Sequence, residues 1–131
     1  MQLSSATRML SAAIAEAERR GVIVCVSILD AAAWPVAFGR MDGVALGCID
    51  VCNKKARTAA LFQMDSADFA MIACPGGEAY SLEQTNGGLT SFGGGLAIRD
   101  GKGAVVGGIG VSGASTEDDI AIARVALAAL S

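Results

Sequence analysis

Leu89-Thr-Ser-Phe-Gly-Gly-Gly-Leu-Ala-Ile-Arg-Asp-Gly-Lys-Gly-Ala-Val-Val-Gly-Gly-Ile-Gly-Val111 is the stretch that decides the fold. It holds three short apolar runs, Leu89–Phe92, Leu96–Arg99 and Ala104–Val111, separated by a triple glycine and by Asp100-Gly-Lys-Gly103. Asp-Gly followed by Lys-Gly supplies the positive-φ positions of a tight hairpin turn, so the runs read as three strands in succession. Glycine inside a strand costs stability unless the backbone needs room. The glycines between Gly87 and Gly113 therefore signal either close helix packing or a ligand that approaches the backbone amides. They do not form a phosphate loop, because no Gly-Lys-Ser/Thr follows and no helix begins at them.

Upstream, Ala6, Met9, Leu10, Ala13, Ile14 and Ala17 recur at helical spacing over Ser5–Arg20, with Ser4 or Ser5 as cap and Gly21 as stop. Val22–Leu29, apolar on both faces, reads as a buried strand. Asp30 to Pro35 breaks it, and Val36–Met41 follows as a second strand across a wide turn. Leu46–Phe62 and Ser66–Ile72 read as helices, the second capped by Asp65 or Ser66. Thr116–Leu130 closes the chain as a helix capped by Ser115, its acidic first turn suited to the helix dipole. The predicted architecture is one α+β domain over 1–131, in the order α-β-β-α-α-β-β-β-α, with a five-stranded antiparallel sheet flanked by helices.

Composition narrows the function classes. Thirteen acids against ten bases give a net charge of −3 with no basic run, which removes the electrostatic footprint of a nucleic-acid binder. Arg57, Asp65 and Asp68 interrupt the most apolar region, so no membrane span is expected. Arg8 and Glu16 interrupt any secretory h-region, so the reading is cytoplasmic. The apolar fraction of 53% is carried largely by small side chains and exceeds what one core of this size needs, which points to a homo-oligomer. Cys25, Cys48, Cys52 and Cys74 read as buried thiols; Cys48 and Cys52, four apart on a helix, share a side, but without any histidine no metal site is assigned.

Several strings together resemble the GlcG/HbpS-like family, which includes the C-terminal domain of PduO-type proteins. They are Asp30, Phe38-Gly-Arg-Met-Asp-Gly43, Lys55-Ala-Arg-Thr-Ala59, Cys74-Pro-Gly-Gly77, Asn86-Gly-Gly88, Phe92-Gly-Gly-Gly-Leu96, and Gly107-Gly-Ile-Gly-Val-Ser-Gly113 leading into Glu117 and Asp119. The resemblance implies a five-stranded sheet, assembly into dimers, tetramers or octamers, and binding of haem or a related small ligand. Against haem stands the absence of histidine, its commonest protein ligand.

The candidate chemistry centres on Lys55, a lysine among alanines on a helix, fit to anchor a carboxylate or serve as a base. Arg40 and Glu78 are tentative catalytic partners, and Asp42, Tyr80, Thr85, Asn86, Gly94, Gly95, Ser112 and Glu117 are candidate ligand-binding residues, with Asp50 in the same pool of charges. No histidine-based nucleophilic triad can be assembled. Two functions compete. One is an oligomer binding a planar or small organic ligand. The other is a cofactor-free lyase, isomerase or hydrolase acting on a small oxygenated acid or ring compound, with Lys55 and nearby acids in its pocket.

Overall fold

A computed structural model describes residues 1–130. Helix α1 (Leu3–Arg20) is followed by strands β1 (Cys25–Asp30) and β2 (Pro35–Arg40), helices α2 (Gly47–Phe62) and α3 (Ser66–Ala73), strands β3 (Gly95–Arg99) and β4 (Val105–Ser112), and helix α4 (Thr116–Ala128). A short 3₁₀ turn at Leu82–Gln84 lies between α3 and β3. The class is α+β as expected, but the antiparallel sheet has four strands, ordered β2-β1-β4-β3, rather than five.

The run that fails to become a strand is Leu89–Phe92. Its backbone is held elsewhere: Leu89 N–H donates to the Glu83 carbonyl at 2.8 Å, and Thr90 N–H to the Thr58 hydroxyl at 3.0 Å. The outer edge of β3, where a fifth strand would pair, is already closed. Gly95 N–H donates to Ser66 Oγ at 2.9 Å and Ala97 N–H to Asp65 Oδ1 at 3.0 Å. Asp65 and Ser66 thus stitch α3 to the sheet edge, and Asp65, in the N-cap position of α3, makes no side-chain cap bond. The expected caps at Ser4 or Ser5 also give way, since α1 starts at Leu3 behind Gln2; Gly21 does end that helix in the left-handed conformation.

The β1–β2 connection is tight rather than wide, and it repeats the β3–β4 turn. Asp30 Oδ1 accepts from Ala32 N–H and Trp34 N–H, both at 2.9 Å; Asp100 Oδ1 accepts from Lys102 N–H at 2.8 Å and Ala104 N–H at 3.0 Å. Each turn needs a left-handed residue three positions after the aspartate. The second turn has Gly103 there at φ 84°, the first has Ala33 at φ 65°. A left-handed alanine costs about 1–2 kcal/mol, and glycine loses about 0.4–1 kcal/mol more chain entropy on folding. Ala33→Gly should therefore stabilise the protein by about 0.5–1 kcal/mol, read as a melting point a few degrees higher.

The sheet separates two apolar layers. On one side Met9 and Ala13 of α1 and Ile122 and Ala126 of α4 pack on Val26, Ile28, Ile98, Ile109 and Val111. On the other, α2 lies so close to β4 that side chains are excluded between them. A Cβ on Gly108 would fall 2.3 Å from the Ala56 carbonyl oxygen, and one on Gly110 would fall 1.9 Å from that of Cys52. Of the two roles open to the glycine strand, these two positions serve helix packing. Among the described residues no helix is long and apolar enough to cross a membrane.

Candidate functional site

Lys55 sits on the sheet-facing side of α2 and is fully buried. Its ammonium donates to the Val111 carbonyl at 2.8 Å and to Asp119 Oδ2 at 3.0 Å, and stands 4.9 Å from the centroid of the Phe92 ring. Gly94 makes room for it, since a Cβ there would lie 2.6 Å from Nζ. Asp119 is oriented in turn by Ala114 N–H, which donates to Oδ1 at 3.0 Å. Ser115 caps α4 as the sequence suggests, accepting from Asp118 N–H at 3.1 Å. Burial pushes the Asp119 carboxyl above the usual carboxylate range, against the opposing pull of Lys55. This buried pair ties α2 to the end of β4 and the start of α4.

The remaining candidates divide into separate groups. Gly94 and Gly95 adjoin Lys55; a Cβ on Gly95 would lie 2.3 Å from the Lys55 carbonyl oxygen. Ser112 is buried next to Val111, while Glu117 is exposed on the first turn of α4. Arg40 and Asp42 border a shallow depression of about 360 Å³ with Glu18, Ile14 and Ile23, away from Lys55. Glu78, Tyr80, Thr85 and Asn86 belong to the exposed segment after α3. That segment is pinned to α2 by Arg57, which donates to the Asn86 carbonyl at 2.6 Å, and the Thr85 hydroxyl donates to Leu82 O. Among the described residues no hydrogen bond or ion pair joins Lys55, Arg40 and Glu78.

Concave space with convergent polar groups lies elsewhere. A groove of about 520 Å³ runs between β2 and α2, lined by Ser27, Pro35, Phe38, Leu46, Ile49, Asp50 and Asn53. Its floor is a polar contact, Ser27 Oγ donating to Asn53 Oδ1 at 3.3 Å, and Asp50 at its rim pairs with Lys54 at 3.0 Å. A larger recess of about 780 Å³ opens between the start of α1, the end of α4 and the β3–β4 turn. Its charged side chains are committed: Arg99 donates to Gly103 O and Gln63 O, and Asp100 holds the turn. Ser27, Phe38 and Asn53 were not among the sequence candidates. The signals were a lone serine inside an apolar strand and a phenylalanine on a strand that also holds Pro35 and Gly39.

The thiols of Cys48 and Cys52 do share a side of α2, packed against Cys25. Burial raises the Cys25 thiol and pushes Cys52 to about 12, so both stay protonated at neutral pH.

The family profile described as haem degrading protein HbpS-like matches residues 1–128. The corrinoid adenosyltransferase PduO of Salmonella typhimurium is 36% identical over 125 residues, covering 94% of this chain and 37% of PduO, so the chain spans little more than a third of that relative. Klebsiella pneumoniae protein ORFY superposes with a TM-score of 0.95 at 29% identity, over 99% of this chain and 90% of ORFY. A PduOC–haem complex superposes with a TM-score of 0.93 at 33% identity, over 98% and 94% of the two chains.

Proposed function

The chain belongs to the HbpS-like family, and on that footing we propose that it is an oligomeric protein that binds a flat organic ligand in the groove between β2 and α2. The observation carrying this is the groove's chemistry. Pro35, Phe38, Leu46 and Ile49 supply apolar walls, and Ser27, Asn53 and Asp50 supply a few fixed polar groups, the usual make-up of a small-molecule site. One face of the ligand rests on Phe38, and its polar edge meets the Asn53 amide.

The PduOC–haem relative makes haem the first ligand to test. The residues here fit a porphyrin face better than they fit iron. The chain has no histidine, and no cysteine, methionine or tyrosine lines the groove. Metal-free protoporphyrin is therefore expected to bind within a few-fold of haem. Phe38→Ala should weaken both by roughly five- to thirtyfold, the loss of about 1–2 kcal/mol of aromatic contact. Absorbance and fluorescence titrations measure this. Haem binding without protoporphyrin binding would place iron ligation at the centre and overturn the proposal; indifference of both to Phe38→Ala would move the site out of the groove.

Catalysis by Lys55 on a small oxygenated acid has less support, because its ammonium is directed at Val111, Asp119 and the Phe92 ring rather than at open space. Lys55 serves in the binding proposal as a positioning residue that holds α2, one wall of the groove, against the sheet.

A further inference from the structure

The two edges of the sheet are treated differently. On β3 the outward N–H groups of Gly95 and Ala97 are closed by Ser66 and Asp65. On β2 nothing comparable is present. Met41 N–H donates to Val24 O, and Gly39 is the register partner of Val26. Antiparallel alternation then turns the N–H and C=O groups of Phe38 and Arg40 away from β1. Among the described residues no side chain caps them. A bare edge of this kind invites a further strand unless it is protected.

The surface around this edge is apolar and carries one arginine without an ion pair among the described residues. Trp34, Phe38 and Leu46 are 70%, 47% and 69% exposed. Arg40 is exposed and makes no ion pair among the described residues, although Glu18 and Asp42 border the same depression. Asp50, whose side chain is 68% exposed, lines the groove together with Phe38 and has only its helix neighbour Lys54 for company.

We propose that the β2 edge pairs antiparallel with β2 of a second copy of this chain, about a two-fold axis at Gly39. Glycine suits the centre of that pairing, where the strands approach most closely. Gly39 points towards α1, its Cβ direction meeting Leu10, so Phe38 and Arg40 project to the α2 side. In this register Phe38 lies opposite the partner's Arg40, close enough for a cation–π contact, and that guanidinium reaches the groove rim that carries Asp50. The axis is perpendicular to the joined sheet, which puts both α2 helices on one side and makes the two grooves adjoin. That last consequence rests on the groove being the ligand site; the strand pairing does not.

Charge exchange tests the contact. In sedimentation equilibrium the natural chain is expected as a dimer or an even multiple of it. Arg40→Glu and Asp50→Arg should each weaken the pairing step roughly tenfold or more, and the double exchange should restore it to within about threefold. Hydrogen exchange should show the Phe38 and Arg40 amides protected in the dimer and fast on dilution. A monomer at high micromolar concentration, a dimer indifferent to both single reversals, or a double exchange that restores nothing would each overturn the pairing. Protoporphyrin titration of the natural chain separates the two proposals: a natural chain that is monomeric yet binds overturns the pairing alone, and a dimer that binds nothing overturns the groove alone.

Discussion

Gly110→Ala is expected to leave little or no stably folded protein. The added methyl would stand 1.9 Å from the Cys52 carbonyl oxygen and 2.7 Å from the Ala56 backbone nitrogen. These are helix backbone atoms, so no side-chain rotation relieves the overlap, and α2 would have to lift off β4. Lifting it breaks the Lys55 contacts to Val111 and Asp119 and the Ser27–Asn53 contact. Overpacking alone costs about 1–3 kcal/mol, and losing the buried pair as well brings the total above about 4 kcal/mol. Small domains have only about 5–15 kcal/mol in all. Gly101→Ala is the control: no atom lies within 4 Å of its Cβ and its φ is not left-handed. That change should be neutral or stabilising by up to about 1 kcal/mol. Urea denaturation of the two variants decides the matter, and a loss under about 1 kcal/mol for Gly110→Ala would mean that α2 does not seat on β4 as described.

What the sequence disclosed of this fold follows the range of the interactions. The turn at Asp100–Gly103 was legible because one carboxylate organises it from within five residues. The same device at Asp30 reads in sequence as a wide break, since Ala33 occupies the place where a glycine would announce the turn. Leu89–Phe92 has the composition of a strand, and its fate was settled by Asp65 and Ser66, which reach Ala97 and Gly95 across 32 and 29 positions and close the edge it needed. Lys55 could be singled out as a lysine in apolar company. Its partner lies 64 residues away among three adjacent acids, and periodicity does not choose Asp119 over its neighbours. The groove was less legible still, because Ser27, Phe38 and Asn53 come from three elements and only their convergence in space marks a site.

Lys55→Met should be among the costliest of side-chain substitutions, and its cost should depend on pH. Methionine fills much the same volume but leaves Asp119 Oδ2 and the Val111 carbonyl buried without the donor that Lys55 supplies. Breaking one side of such a pair costs about 3–5 kcal/mol when the remaining group stays charged. Asp119 already holds its proton more tightly than the ordinary value of 3.8, because burial outweighs the attraction of Lys55. Removing Lys55 removes the largest influence that lowers it, so the folded-state value climbs further. An acid whose pKa is higher folded than unfolded binds more protons in the folded state, and its contribution to stability declines as pH rises between the two values. The gap between the natural chain and Lys55→Met should therefore be smallest near the unfolded value and widen towards neutral pH, by about 1.4 kcal/mol for each unit that the variant's carboxyl lies above the natural one. Comparing the two chains at each pH cancels the other carboxylates. Adding Asp119→Asn to Lys55→Met should recover part of the loss at neutral pH and flatten the dependence, since nothing titrates at that position any longer. A gap of constant size from acid to neutral pH for Lys55→Met alone, with no recovery on adding Asp119→Asn, would show that the carboxylate is not the group left stranded.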